Sequence, residues 1–271
     1  MQNESTIGCG LNQINFFKKY LFRRDFYWKV KEKIYQFIRD NSRNAFIDQK
    51  RLLNNIENGV ILDVGAHVGD TTELYRKYFF GSKIICFEPF PESCDALKKR
   101  FINDSTINIV ETALGSKDET KTLYVSNFSN LNSLQRPNER AWGFADKKSV
   151  DVETTTLDQF CFDNDIKHID ILKLDAQGSE LDVLMGSKNI LEKSNISLIY
   201  VEWQVVPLYE NHHKYYKIAE FLQNYEYELF NLYNINESRS GQIRWADAIY
   251  TSKGIRDKMI NQFGVGTGSG W

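Results

Sequence analysis

From residue 60 onward the sequence predicts an α/β fold, a parallel sheet with helices on both faces. Apolar runs typical of buried strands alternate there with segments of helical periodicity. An edge hairpin of Tyr225–Tyr233 and Trp245–Thr251 closes the pattern. The predicted strands are 60–66, 83–88, 107–113, 168–175 and 196–203, and the predicted helices are 70–80, 91–102, 157–164, 179–193 and 212–224.

The segment 115–156, between the third and fourth of these strands, follows a different pattern. Lys121–Asn127 and Val150–Thr156 alternate polar and apolar residues, as antiparallel strands do. Asn127–Lys148 between them is polar, and we expect it to form an exposed loop over the mouth of a ligand site.

Composition and charge narrow the class of protein. The formal net charge of −2 argues against a nucleic-acid surface spanning the whole chain, so we expect no nucleic-acid partner. The four cysteines (Cys9, Cys86, Cys94 and Cys161) lack paired metal-ligand spacing, which favours a reducing compartment. No apolar run approaches the length of a membrane span, and Met1–Gly10 does not resemble a secretion signal. We therefore expect a cytoplasmic location.

Three parts are predicted along the chain: a helical extension (1–56), the α/β domain (57–253) and a glycine-rich, partly disordered tail (254–271). Between residues 14 and 56, aromatic residues recur at roughly helical spacing with basic residues between them. We interpret this segment as a helix packed on the core with a solvated basic face. A membrane surface, an acidic partner or a second copy of the chain are the alternative contacts.

The first predicted strand ends in a glycine turn, Gly65–Gly69, and a helix start follows. Glu88 ends the next strand about twenty residues on, where an acid suits the two hydroxyls of a ribose. This arrangement predicts a site for an adenosine-bearing cofactor. The turn has His67 where dinucleotide binders have their middle glycine, and Asp63, Asp70 and Glu73 would repel a pyrophosphate.

S-adenosylmethionine suits such a site, because it carries an ammonium and a sulfonium group and no phosphate. A nucleotide-dependent oxidoreductase and a non-catalytic module that retains the fold are the alternatives. Six short segments then carry a family resemblance: Leu62–Gly69 with Thr72, Phe87–Pro91, Ala113–Gly115, Thr156–Asp158, Leu172–Glu180 with Leu184 and Gly186, and Val201–Glu202. In this order and spacing they resemble the FkbM family of S-adenosylmethionine-dependent methyltransferases, from residue 60 to about 251.

The resemblance implies a class I methyltransferase (Rossmann-like) fold with a seven-stranded sheet whose last strand is antiparallel. It also implies methyl transfer to a hydroxyl of a saccharide, a glycan or a related small molecule. Asp63 and the glycine turn would hold the methionine end of the cofactor, Glu88 the ribose, and Ala113 with Leu114 the adenine. The residues expected around the cofactor are Asp63, Gly65, Ala66, His67, Gly69, Thr72, Glu88, Pro89, Ala113 and Leu114.

Two positions depart from the family pattern. His67 stands where the family usually has Asn, and it can still form hydrogen bonds. Gln177 stands where the family often has Glu, which removes an acid beside the expected reaction centre.

Asp175 and Glu202 end the fourth and fifth predicted strands, at the edge of the sheet where ligands bind. We interpret Asp175 as the general base or acceptor-positioning group, with Glu202 assisting it. A divalent-metal site formed by these two carboxylates, or a purely structural role at helix starts, is the alternative. Further residues that could contact the acceptor, or could serve only structure, are Trp142, Phe144, Trp203, Tyr209, His212 and His213.

Overall fold

The structure is a computed structural model that describes residues 44–54, 56–141, 143–144, 148–210 and 213–263. From Ala45 onward these residues belong to one unit. Most of the predicted N-terminal helix, Trp142, His212 and the glycine-rich residues 264–271 lie outside the described residues. Within the described ranges, no helix has the length and apolar composition needed to cross a bilayer.

Within the described residues, ten strands form two sheets. They are β1 (Val60–Val64), β2 (Lys83–Phe87), β3 (Ile107–Val110), β4 (Ala113–Leu114), β5 (Glu119–Val125), β6 (Lys148–Thr155), β7 (Ile169–Leu174), β8 (Ile196–Gln204), β9 (Glu228–Glu237) and β10 (Ile243–Thr251). The main sheet has the order β3-β2-β1-β7-β8-β10-β9. Strand β10 runs antiparallel to both β8 and β9, whereas β1 pairs in parallel with β2 and β7. The expected class I architecture is confirmed.

The smaller sheet has the order β4-β6-β5, and β5 pairs with β6 in the predicted antiparallel sense. The loop between these two strands contains a short 3-10 helix, Ser129–Leu131. An isolated bridge joins Tyr124 of β5 to Ser133, so the loop folds back along its own strand.

Eight helices in the part of the chain that the structure describes cover the main sheet. They are α1 (Ala45–Leu52), α2 (Asp70–Tyr78), α3 (Pro91–Arg100), α4 (Leu157–Asp163), α5 (Glu180–Met185), α6 (Lys188–Glu192), α7 (Tyr215–Gln223) and α8 (Lys253–Phe263). Side chains of a strand alternate between faces, so Ile61 packs with α1, α2, α3 and α8, and Leu62 packs with the other four helices. Both faces are therefore covered, as a parallel sheet requires.

The prediction of one helix over 179–193 is wrong. Gly186 and Ser187 separate α5 from α6, and the amide N–H of Gly186 bonds back to Asp182 and Val183. A Cβ atom added at Gly186 would lie 2.1 Å from the carbonyl oxygen of Gly115. This close approach holds the end of α5 against the chain that follows β4.

Gly186→Ala is expected to destabilise the fold by about 1–3 kcal/mol, because the new methyl group meets backbone that cannot move aside cheaply. Gly254→Ala is the matched control, since no atom lies within 4 Å of a Cβ built there. Its free energy of unfolding should stay within about 0.5 kcal/mol of the parent value. Urea unfolding measures both, and equal stability of the two variants would contradict the packing described.

Candidate active site

A cavity opens where the carboxyl ends of β1 and β7 meet. Six residues expected around the cofactor line it: Gly65, His67, Glu88, Pro89, Ala113 and Leu114. Asp175 and Gln177 line it as well, and so do four residues of the loop between β5 and β6. Among the described residues that line this cavity there is no Lys or Arg. The lining therefore combines apolar side chains with the carboxylates of Glu88 and Asp175.

The glycine turn brings two strand ends unusually close together. Gly65 has φ +73°, and a Cβ there would lie 2.0 Å from the carbonyl oxygen of Asp175. Only glycine both adopts this positive φ readily and has no Cβ atom to clash with that carbonyl oxygen.

The turn's N–H groups are already engaged by the protein. Gly65 and Ala66 both donate to the carbonyl oxygen of Phe87, at 3.0 and 3.1 Å. The N–H of His67 donates to Oε2 of Glu88 at 2.8 Å. Phosphate cradles rely on free N–H groups of this kind. Three of the turn's N–H groups are therefore not free to bind a pyrophosphate.

Glu88 is held rigidly at the cavity wall. Its Oε2 accepts from the N–H of His67 and its Oε1 from the N–H of Phe90, at 2.8 and 2.9 Å. Burial raises the pKa of Glu88, and these two hydrogen bonds offset part of that rise. A carboxylate oxygen has more than one acceptor site, so each oxygen can also receive a hydroxyl from a ligand.

The other expected cofactor residues support the turn without lining the cavity. Asp63 and Thr72 are fully buried, and the Thr72 hydroxyl donates to Oδ2 of Asp63 at 2.7 Å. Ala66 is buried, and Gly69 packs against Phe101 of the segment after α3. Asp63 is thus placed below the turn, and a direct contact with the methionine end is not what its position indicates.

Lys173 of β7 is the partner of Asp63. Its Nζ lies 2.9 Å from Oδ1 of Asp63 and donates to the carbonyl oxygens of Val64 and Gly65 at 3.2 and 3.0 Å. Nζ also lies 3.8 Å from Oδ2 of Asp175. Burial alone would lower the pKa of Lys173, but the carboxylates of Asp63 and Asp175 outweigh it and the pKa is raised. One buried cation therefore ties the turn to the reaction side of the cavity.

The two expected catalytic carboxylates occupy different layers. Asp175 lines the cavity, and its side chain is 38% exposed. Glu202 lies behind it and does not line the cavity, with Gln177 Nε2 3.4 Å from its Oε2. Burial raises the pKa of Glu202 well above its usual value, and the charges of Asp175 and Glu180 raise it further. Only Asp175 is thus placed to touch a ligand directly.

The arrangement does not fit a divalent metal between Asp175 and Glu202. The Nε2 donor of Gln177 lies between the two carboxyls, at 2.8 Å from Asp175 Oδ1. A metal ion there would need electron pairs, which an N–H group cannot supply. Over the part of the chain that the structure describes, no cluster of three or more His, Cys, Asp or Glu side chains could hold a metal ion.

None of the described aromatic and histidine residues expected near the acceptor lines the cavity. Trp203 is buried against Tyr215 and Tyr250, with ring centroids 5.1 and 6.1 Å away, so it is a core side chain. Phe144 packs edge to face on buried Tyr209. His213 does not line the cavity, and its Nε2 lies 3.7 Å from Oδ1 of Asp182.

The position of the loop Asn127–Lys148 at the cavity agrees with the sequence prediction, but its individual contacts and the role of Lys173 were not predicted. The loop residues Ser129, Asn130, Asn132 and Leu134 line the cavity, and the Ser129 hydroxyl lies 2.7 Å from Nε2 of His67. Nothing in their residue types predicts this contact. Lys173 could have been found, because it is a lone cation in an apolar strand and faces the lone acid Asp63 in register.

The comparisons with known proteins agree with this architecture. Residues 63–229 match the family model described as the methyltransferase FkbM domain. The chain belongs to the FkbM methyltransferase family. It is 26% identical over 178 residues to the 2-O-methyltransferase NoeI of Sinorhizobium fredii, covering 62% of this chain and 72% of that protein.

Two further matches are a second methyltransferase and a solved structure. The chain is 29% identical over 162 residues to the methyltransferase sdnD of Sordaria araneosa, covering 50% of this chain and 62% of that protein. The crystal structure of a TehB-like SAM-dependent methyltransferase from Corynebacterium glutamicum is 12% identical, with a TM-score of 0.39, and the match covers 84% of this chain and all of that one.

Lys173→Met is expected to lower the free energy of unfolding by about 3–5 kcal/mol, because Asp63 is left buried without its cation. The double variant Asp63→Asn with Lys173→Met should recover much of the loss. Lys83→Met, at an exposed lysine of β2, controls for loss of a positive charge. Urea unfolding compares the three, and a Lys173 variant as stable as the Lys83 variant would contradict the ion pair.

Proposed function

We propose that this protein is an S-adenosylmethionine-dependent O-methyltransferase whose acceptor is a hydroxyl of a saccharide, a glycan or a related small molecule. The observation that carries the proposal is the position of Glu88. Its carboxylate stands at the wall of a cavity that no described Lys or Arg lines, beside a glycine turn in which the N–H groups of Gly65, Ala66 and His67 are engaged by the protein. A ligand with a ribose and no phosphate suits that wall.

The residues present fit the cofactor in three respects. Glu88 can accept both ribose hydroxyls. Ala113, Leu114 and Leu123 form an apolar wall suited to the adenine ring. On the opposite side, the carboxylate of Asp175 suits the positive charge of the methionine end. When bound, S-adenosylmethionine supplies a methyl group on a positively charged sulfur.

Asp175 is placed to receive the proton of the acceptor. In the overall reaction the carbon–sulfur bond breaks, a carbon–oxygen bond forms, and the hydroxyl proton leaves. Oδ1 of Asp175 accepts from Gln177 and Oδ2 lies 3.8 Å from Nζ of Lys173, so the partly exposed carboxylate keeps acceptor sites for the hydroxyl proton. The carboxylate also orients the hydroxyl, and orientation supplies much of the acceleration in a displacement of this kind.

The charges around Asp175 favour an uncharged acceptor. Besides burial, the charge of Asp175 raises the pKa of Glu180, and the charges of Asp175 and Glu180 raise the pKa of Glu202. The nearby cation Lys173 is fully buried against Asp63 and the turn. An anionic acceptor would meet repulsion here without a lining cation to offset it. A saccharide hydroxyl suits the site, and the name of the relative NoeI, a 2-O-methyltransferase, supports oxygen as the acceptor atom.

The alternative of a nucleotide-dependent oxidoreductase is weakened by the engaged N–H groups of the turn. A dinucleotide would have to displace the hydrogen bonds from Gly65, Ala66 and His67 to the protein. Only an activity assay distinguishes the other alternative, a non-catalytic module that retains the fold, from the proposed enzyme.

Glu88→Gln is expected to weaken binding of S-adenosylhomocysteine by about 10- to 100-fold. The amide loses the negative charge and turns a donor towards an N–H donor of His67 or Phe90. Glu92→Gln, at an exposed position in the first turn of α3, should bind as the parent does. Calorimetry measures both. Tight binding of a nicotinamide dinucleotide, with none of S-adenosylhomocysteine, would overturn the proposed cofactor.

Asp175→Asn is expected to lower kcat by about 10²- to 10⁴-fold while it leaves S-adenosylhomocysteine affinity within a few-fold, because the base is lost and the cradle is kept. Asp163→Asn, at an exposed position of α4, is the control. The assay follows S-adenosylhomocysteine release with a panel of neutral saccharides and their phosphorylated forms. Full turnover by Asp175→Asn would remove the base, and faster methylation of phosphorylated acceptors would contradict the charge argument.

A further inference from the structure

Gln177 is the only described side chain that the structure bonds to both Asp175 and Glu202. It lies in the turn after β7, in the left-handed region with φ 48°. Its Nε2 donates to Oδ1 of Asp175 at 2.8 Å and lies 3.4 Å from Oε2 of Glu202. Its Oε1 lies 3.2 Å from the hydroxyl of Tyr209 and 3.3 Å from Nε2 of Gln204.

An amide matches these four partners, and other side chains of this size do not. The two hydrogens of Nε2 face the two carboxyls, and the acceptor Oε1 faces the two donors. A glutamate at position 177 would turn an oxygen towards Asp175 Oδ1, where a donor is needed. A methionine would leave Asp175 and Glu202 without the donor that separates them.

The backbone of this turn is held from both sides, so the amide has little freedom to turn away. The hydroxyl of Ser133 donates to the carbonyl oxygen of Gln177 at 2.6 Å. The carboxylate of Glu180 accepts from the N–H groups of Ala176 and Gly178, at 2.8 and 3.1 Å. The hydrogen bonds of the amide are therefore built into the fold and do not depend on a mobile side chain.

We propose that Gln177 is a positioning residue for methyl transfer: its amide holds Oδ1 of Asp175 and so fixes the orientation of the carboxylate that receives the acceptor proton, and it keeps Glu202 apart as a second carboxyl that does not touch the acceptor. This inference rests on the proposed function, because it assigns how Asp175 is aimed. Negative charge at the reaction centre then resides on Asp175. This assignment is consistent with the burial of Glu202, which raises the pKa of its carboxyl.

The groups that set the charge at this point come from every element packed around the turn. They are His67 after β1, Lys173 of β7, Glu180 of α5, Glu202 of β8, Tyr209 of the following loop and Asp247 of β10. Lys173 is the one permanent cation among them, and it is shared with Asp63. A further carboxyl at position 177 would therefore add to an excess of negative charge.

The test compares Gln177→Glu with Gln159→Glu. Gln159 is exposed on α4, and its Nε2 donates to Oδ1 of Asp163 at 2.8 Å. Gln159→Glu thus introduces the same carboxyl beside an aspartate at a solvent-exposed position, and the amide that it replaces makes a hydrogen bond of the same length. Both variants are studied as the full chain.

The first measurement is independent of turnover. In Gln177→Glu the new carboxyl should have a raised pKa in the folded state, because it is buried beside two other acids. The free energy of unfolding of Gln177→Glu, relative to that of the parent, should therefore be highest at about pH 4. It should fall as the pH rises through neutrality. Gln159→Glu should show almost no such trend. A pH trend in Gln177→Glu no larger than that of the control would overturn the contacts proposed for the amide.

The second measurement is kinetic, at pH values where circular dichroism shows both variants folded. Gln177→Glu should lower kcat at least tenfold at neutral pH. The rising limb of its kcat–pH profile should move up by about one pH unit or more, and KM should stay within a few-fold. A normal profile and kcat, together with the stability trend, would overturn the positioning role. Wild-type protein that binds S-adenosylhomocysteine but methylates no acceptor would overturn the proposed function itself. The pH dependence of unfolding would still test the hydrogen bonds assigned to the Gln177 amide.

Discussion

The buried pair of Lys173 and Asp63 joins the two central strands and both halves of the site. Their side chains face each other in register across β1 and β7, and Lys173 also holds the carbonyl oxygens of Val64 and Gly65. Burying two charges is costly, and such pairs add little net stability. The pair instead fixes the geometry of the site, because the Lys173 ammonium contacts both the glycine turn and the carboxylate of Asp175.

The site is built by three carboxyls that the fold keeps for different tasks. Glu88 is tied to backbone N–H groups and lines the cavity. Glu180 is fully buried, binds the turn after β7, and burial raises its pKa to about 7. Asp175 alone is partly exposed at the reaction side. Similar residues thus act as wall, support and proposed base because their solvent exposure and their donors differ.

Much of the fold could be predicted from the sequence because its signals are local. The apolar runs of β1, β2, β7 and β8, the glycine turn and Glu88 all lie within short stretches of chain. The single helix predicted over 179–193 failed because Gly186 is required by Gly115, more than seventy residues away. A periodicity pattern carries no information about such a contact.

Some features of the candidate site could likewise be predicted from the sequence, and others could not. Positions after strand ends, such as Asp175 and Glu88, follow from topology, because ligands of open sheets bind at the carboxyl ends. The deeper placement of Glu202 and the bridging role of Gln177 depend on side-chain packing across β7 and β8. The contact of Ser129 with His67 depends on how a polar loop folds back over the cavity. These relations are three-dimensional and leave no pattern along the chain.

A crystal structure with S-adenosylhomocysteine bound would test the central claim most directly, that one acid-walled cavity orients an adenosine cofactor. The claim requires both ribose hydroxyls within hydrogen-bond distance of Glu88 and the sulfur facing the side of Asp175. Adenosine bound elsewhere, or a sulfur that points away from Asp175, would contradict it.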